Sequence, residues 1–422
     1  MKITNYEGLG ETLYSDILPN KLPINIVTKP GYMKNYAFFA TNYGGADREF
    51  TYKGERMSTP SGVAHFLEHK MFDTPDGGNA LSVLSANGAS PNAYTSNEIT
   101  TYYFESTQGF YENLETLLRF VSVPYFTKES VEKEQGIIAQ EIRMYEDNPS
   151  YAVYENLLKS IFSNNPIRDN IAGTVESIAE ITDEILYACH NVFYTPANMS
   201  LCVVGDVDPE RVIEIAAKML PSESGEIPAK YYGEPEQNFP NTKFVETEME
   251  VAQPLFAVGT HFEPAAGEAL LRERISGGLA LKYLYGHSSP MYSRLYAEGV
   301  LNDSFGYDLD FSAGVGMILA EGESQEPERV LAEMAAEAKK AAQGLDSTLF
   351  GRIKKSSYGS RLRAFDAFAS LCRELTAGQF AGYRALDAVS ILQDISEDEV
   401  VDFIKKRLNV EKFALSVVRP IK

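Results

Sequence analysis

The stretch SGVAHFLEHKMFDTPDGG, residues 61–78, places two of the chain's five histidines, His65 and His69, four residues apart with Glu68 between them. On an α-helix a spacing of four turns the chain through about 400°, so the two imidazoles land about 40° apart on one face. Glu68 lies on nearly the same face. The run GVAHFLEHKMF surrounds these polar groups with apolar residues, which predicts a largely buried helix over 61–72. Buried imidazoles and a buried carboxylate need partners, and a metal ion supplies one. Imidazole suits zinc, which at catalytic sites keeps three protein ligands and an open position. Glu68 beside such a site can accept a proton as water attacks a carbonyl carbon, then pass it to the leaving amine.

Two histidines leave a third ligand to find. The segment SVEKEQGIIAQEIRMYEDN offers Glu132, Glu134, Glu141 and Glu146. Glu134 and Glu141 are seven apart, two turns along one helix face, beside Ile137 and Ile138. Two carboxylates on one buried face are costly unless a cation neutralises them. The spacing points to one of them at the metal and does not choose between them.

Working outward, the chain opens on a hairpin pattern, TLYSDIL and LPINIVTK around the turn PNK, followed by a strand in YAFFATNYGG. Residues 79–86 read as helix and NAYTSNEITTYYFES as extended strand. GFYENLETLLRFVS and the long TKESVEKEQGIIAQEIRMYEDN read as helices, the second capped by Thr127. After Leu220 the texture changes: PSESGEIPAKYYGEPEQNFPN carries four prolines and little periodicity, which reads as an interdomain linker, bounded at 223–240. One helix from Asp346 into the 370s is expected in the second half.

ITDEILYACHNVFYTPANMSLCVVG begins at Ile181 and ISEDEVVDFIKKRLNVEKFALSVVR at Ile395, 214 residues apart. Both read as a capped amphipathic helix, a short loop and a last strand. This echo argues for two similar α+β domains, 1–222 and 241–422, rather than the three that length alone suggests.

The net charge of −21 should repel nucleic acid and anionic membrane surfaces. Cys189, Cys202 and Cys372 form no CxxC pair and suit a reducing compartment. No signal-peptide pattern opens the sequence and no run is long enough to span a membrane, so a cytoplasmic protein is expected.

HFLEH, then NGASPNAYTSNEITTYYFE, then EKEQGIIAQE, in this order and spacing, resemble the pitrilysin family of inverted-motif (HxxEH) zinc peptidases. That family includes insulysin and the mitochondrial processing peptidases, and this chain is similar to its short-chain, processing-peptidase-like branch. The resemblance covers most of residues 1–220; the second half is similar in layout only. It implies two similar domains, each a mainly antiparallel sheet packed with helices, together forming one half of a clamshell. It implies one zinc per chain held by His65, His69 and Glu141, with Glu68 as general base. Glu134 then matches the outer carboxylate that backs the ligands. Asn92, Ala93 and Tyr94 match the edge strand that lines bound peptide, where main-chain pairing gives affinity with little sequence selectivity. Catalytic members also carry an Arg seven residues before a Tyr. Tyr307 matches the Tyr, but Val300 stands where the Arg would be, and Arg294 fits better as an anchor of its own helix. The implied activity is a zinc-dependent endopeptidase or oligopeptidase; the alternative is a non-catalytic scaffold subunit of the same fold. The Val300 departure favours a heterodimer with a second chain of this fold, a homodimer being the other option.

Overall fold

A computed structural model describes residues 1–237 and 239–421. The contacts divide the chain into two compact units. The first holds residues 1–142, 170–232 and 363–386; the second holds 143–169, 233–362 and 387–422.

The first unit is built on a seven-stranded sheet. Its order is Lys2–Tyr6, Glu11–Ile17, Pro23–Thr28, Met199–Gly205, Asn35–Thr41, Thr100–Ser106, Ala89–Thr95. All neighbours are antiparallel except Pro23–Thr28 with Met199–Gly205. The central strand SLCVVG reads as an unbroken apolar run because both faces of the sheet are covered, and every residue of Met199–Gly205 is buried. Helices Val63–Lys70 and Phe110–Ser122 contact this sheet, as does helix Phe368–Ala381. Ala89–Thr95 ends the sheet, so one of its edges pairs with Thr100–Ser106 and the other has no strand beside it among the described residues.

The second unit carries a five-stranded sheet ordered Phe244–Met249, Ala414–Pro420, Leu255–Phe262, Val315–Glu323, Gly306–Ser312. Its one parallel pair is the first two strands. This repeats the last five positions of the first sheet: a parallel pair, then three antiparallel neighbours ending in an edge strand. The echo in the sequence has its physical counterpart here. Helices Asp183–Phe193 and Glu397–Arg407, capped by the side chains of Thr182 and Ser396, lead through single 3₁₀ turns into equivalent central strands.

The division of the chain differs from a single cut at 223–240. Helix Pro149–Ile161 packs on strands Leu255–Phe262 and Ala414–Pro420 and belongs to the second unit. Helix Phe368–Ala381 packs on Met199–Gly205 and Asn35–Thr41 and belongs to the first. Each half of the sequence therefore gives one helix to the sheet of the other half. The helix expected to run from Asp346 into the 370s is two helices, Ser347–Ala364 and Phe368–Ala381, because its two parts serve different units. The expected linker is also partly built in. Ala229–Tyr231 pairs with strand Glu49–Tyr52, and the Lys230 ammonium sits 2.8 Å from the fully buried Asp47 carboxylate. A buried charge of this kind requires its partner, so this part of 223–240 is structural. Asn238, in the same stretch, lies outside the described residues.

Candidate metal centre

The HFLEH helix is short, Val63–Lys70, narrower than the expected 61–72. Gly62 precedes it at φ 97°, a left-handed conformation that favours glycine, and an added Cβ there would meet the Ala172 carbonyl oxygen at 2.5 Å. Val63, Ala64, Phe66 and Leu67 anchor the helix in the first core. That burial turns His65, Glu68 and His69 towards the long helix Lys128–Glu146 and the edge strand Ala89–Thr95. On the long helix Val131, Ile138 and Ile142 are buried, and the Thr127 hydroxyl accepts the Ser130 N–H at 3.2 Å as the sequence predicts.

One atom from each of His65, His69 and Glu141 falls within 4.8 Å of the others, a geometry that could hold a metal ion. His65 Nε2 lies 3.7 Å from Glu141 Oε1, and His69 Nε2 lies 3.6 Å from Glu141 Oε2. These gaps are too long for good hydrogen bonds. They are close to the roughly 3.3 Å that separates two ligands each about 2.0 Å from one tetrahedral ion. Glu134 takes the other side of the same ring: its Oε1 is 3.0 Å from His69 Nδ1. A carboxylate only accepts, so Nδ1 carries the proton and Nε2 keeps its lone pair towards Glu141. The two glutamates that spacing could not separate thus address opposite nitrogens of one imidazole.

The electrostatics fit this arrangement. Burial, helped by the nearby His69, pushes the His65 pKa down to about 3, so His65 is neutral and able to donate a lone pair. Among the described residues His65 Nδ1 is buried with no hydrogen-bond partner. Burial would lower His69 too, but the bond it donates to Glu134 and the charges of Glu68, Glu134 and Glu141 outweigh it and raise its pKa. The same bond holds Glu134 below the ordinary carboxylate range. Burial raises Glu68, against the hydrogen bond that the Thr95 hydroxyl donates to its Oε2 at 2.7 Å.

Residues 53–175 match the insulinase domain of peptidase family M16, and residues 180–357 match the peptidase M16 inactive domain. Over its whole length the chain is 36% identical to a Bacillus subtilis protein named uncharacterized zinc protease YmfH, covering 99% of that protein. The chain belongs to the insulinase family of peptidases. A solved structure from Alicyclobacillus acidocaldarius, described as an M16-like peptidase, is 32% identical and superposes with a TM-score of 0.94, covering 98% of this chain and 99% of that one. A third relative in the insulinase family, the mitochondrial-processing peptidase subunit beta of Caenorhabditis elegans, is 30% identical over 44% of this chain and 39% of that one.

The remaining expected residues are placed as follows. Asn92, Ala93 and Tyr94 lie in the edge strand, with Asn92 exposed and Ala93 packed against the first core. The Tyr94 ring turns to the opposite face of the sheet, where it meets Phe38 and Tyr103 at centroid distances of 6.3 and 6.2 Å. The outer main-chain edge of this strand pairs with no other strand among the described residues. Tyr307 is in the second unit, on its edge strand Gly306–Ser312. Val300 is buried at 3% exposure, and its carbonyl accepts the Ser324 hydroxyl, so this position is core rather than a cation. Arg294 forks onto Glu333 of helix Pro327–Ala341 at 3.1 and 2.7 Å, the anchoring role its sequence context suggests. Thr95 was not among the expected site residues. Strand alternation from Ala93 is the signal that could have found it, since residues two apart share a face.

Proposed function

We propose that this chain is a zinc-dependent peptidase that hydrolyses peptides or unfolded segments, holding one zinc through His65, His69 and Glu141. The observation that carries the reading is the pair of imidazole Nε2 atoms facing different oxygens of Glu141 at 3.6 and 3.7 Å, with Glu68 on the same short helix. Zinc, when bound there, supplies Lewis acidity that polarises the amide carbonyl and acidifies water. Glu68 takes the proton from the attacking water as the new C–O bond forms. It delivers that proton to the amine nitrogen as the C–N bond breaks, and returns to the carboxylate. Burial raises its pKa, which favours the protonated form it must hold between the two steps. Glu134 fixes the His69 tautomer. The open edge of Ala89–Thr95, at Asn92, Ala93 and Tyr94, pairs with the peptide main chain, and Tyr307 is a further candidate for substrate contact.

Glu134→Gln keeps a hydrogen-bond acceptor on His69 Nδ1 but removes the charge. Metal affinity is expected to fall about 10–100-fold, as when other outer partners of metal-bound histidines are lost. Chelator competition measures it, and an unchanged affinity would remove Glu134 from the site.

For the partner, we propose a second chain of the same fold, with a heterodimer favoured over a homodimer. A buried Val300 leaves no cation where a substrate-clamping Arg would stand, so the clamp would come from the other chain. The same observation favours the one alternative function, a non-catalytic scaffold subunit. Zinc content together with cleavage of a mixed quenched-peptide set tests both readings. Zinc-dependent cleavage supports the peptidase, and its absence, alone and with a similar chain added, supports the scaffold. Full activity of the chain alone, with no gain from a partner, would refute the heterodimer.

A further inference from the structure

The proposed base is not held by the metal ligands or by its own helix. Among the described contacts its one side-chain hydrogen bond comes from Thr95, the last residue of the edge strand, at 2.7 Å to Oε2. An ionised carboxylate has no proton to give, so Thr95 is the donor. The Thr100 hydroxyl, 3.4 Å away across the ladder, faces the Thr95 oxygen as the donor of a longer contact. Thr100 is itself fully buried, and the shorter bond for its single proton goes to the Tyr43 carbonyl at 2.9 Å.

The strand that carries Thr95 is fixed on both faces. Tyr94 packs among Phe38 and Tyr103 on one side, and Ala93 lies against the core on the other. Thr95 therefore has little freedom to follow Glu68, and Glu68 must follow Thr95. With Oε2 occupied, Oε1 is the oxygen left for the attacking water.

We infer that Thr95 is a positioning residue: its hydroxyl sets the orientation from which Glu68 takes the proton and ties that orientation to the strand whose open edge pairs with substrate. This rests on the reading of Glu68 as base. Thr95→Val removes the donor at nearly constant shape; Thr95→Ser keeps it. In Thr95→Val, kcat should fall about 10–100-fold, the loss expected for one hydrogen bond to a charged group, with KM moving less than about threefold. Thr95→Ser should recover most of that loss. Zinc content should match wild type in both. Crystal structures of the metal-free variants should show the Glu68 carboxylate displaced in Thr95→Val and in place in Thr95→Ser. The double variant Glu68→Gln/Thr95→Val should be no slower than Glu68→Gln alone, because Thr95 acts through Glu68.

Normal kcat in Thr95→Val, an equal loss in Thr95→Ser, an undisplaced carboxylate, or multiplying losses in the double variant would each overturn the inference. If Glu68→Gln is inactive while Thr95→Val is not, only the role of Thr95 fails. If Glu68→Gln is itself active, the reading of Glu68 as base fails first and takes this one with it.

Discussion

Replacing Glu68 by Gln is expected to abolish most turnover while leaving the metal site and peptide binding intact. Gln keeps the size of the side chain and still accepts the Thr95 hydroxyl, but it cannot take a proton from water. The loss should be about 10²–10⁴-fold in kcat, the usual worth of a positioned general base. None of the three candidate ligand atoms belongs to Glu68, so zinc content should stay at one per chain. Peptide affinity, measured by fluorescence anisotropy with a labelled uncleaved substrate, should match wild type. Turnover within a factor of two of wild type would eliminate Glu68 as the base.

Glu141→Ala is expected to empty the site. Glu141 gives one oxygen towards each histidine, so its removal leaves only two imidazoles. The drop in zinc affinity should exceed the roughly 10–100-fold that follows loss of an outer partner such as Glu134. The fold should persist, because Glu141 is partly exposed and the long helix is anchored by Val131, Ile138 and Ile142. Metal analysis after dialysis against a chelator, with circular dichroism as the control for folding, checks both statements. Full zinc occupancy in a folded Glu141→Ala protein would transfer the ligand role to Glu134.

How far the site was legible in the sequence follows from what spacing encodes. His65, Glu68 and His69 could be put on one helix face because a spacing of four has a single meaning on a helix. Glu134 and Glu141 could not be told apart that way, since seven residues return to the same face. Their difference lies in which nitrogen of the His69 ring each one meets, 3.0 Å at Nδ1 against 3.6 Å at Nε2, and that depends on how two helices approach. Thr95 escaped for the same reason: alternation gives its face of the strand but not the element opposite.

The fold divides along a similar line. Strands such as Glu11–Ile17, Pro23–Thr28 and Met199–Gly205 and the capped helices at Thr182 and Ser396 were readable from period and punctuation. Lys2–Tyr6 and Phe244–Met249 were not, and the single strand read in NAYTSNEITTYYFES is the pair Ala89–Thr95 and Thr100–Ser106. The exchange of helices Pro149–Ile161 and Phe368–Ala381 was not. An amphipathic pattern says that a helix has a face to bury, and nothing in it names the sheet that will bury it. The strand Ala229–Tyr231 was hidden by its setting in a proline-rich, weakly periodic stretch.

The exchanged helices also set an order of events for the nascent chain. The last strand of the first sheet, Met199–Gly205, leaves the ribosome long before Phe368–Ala381, which covers that strand and its neighbour Asn35–Thr41. At roughly 5–20 residues per second the wait is on the order of 10–30 s. During it, one face of an apolar sheet carrying Phe38, Cys202 and Val204 lacks its helix. A ribosome stalled anywhere in that interval presents an incomplete domain that cannot mature, and such chains should be preferred clients of chaperones that bind exposed apolar surface.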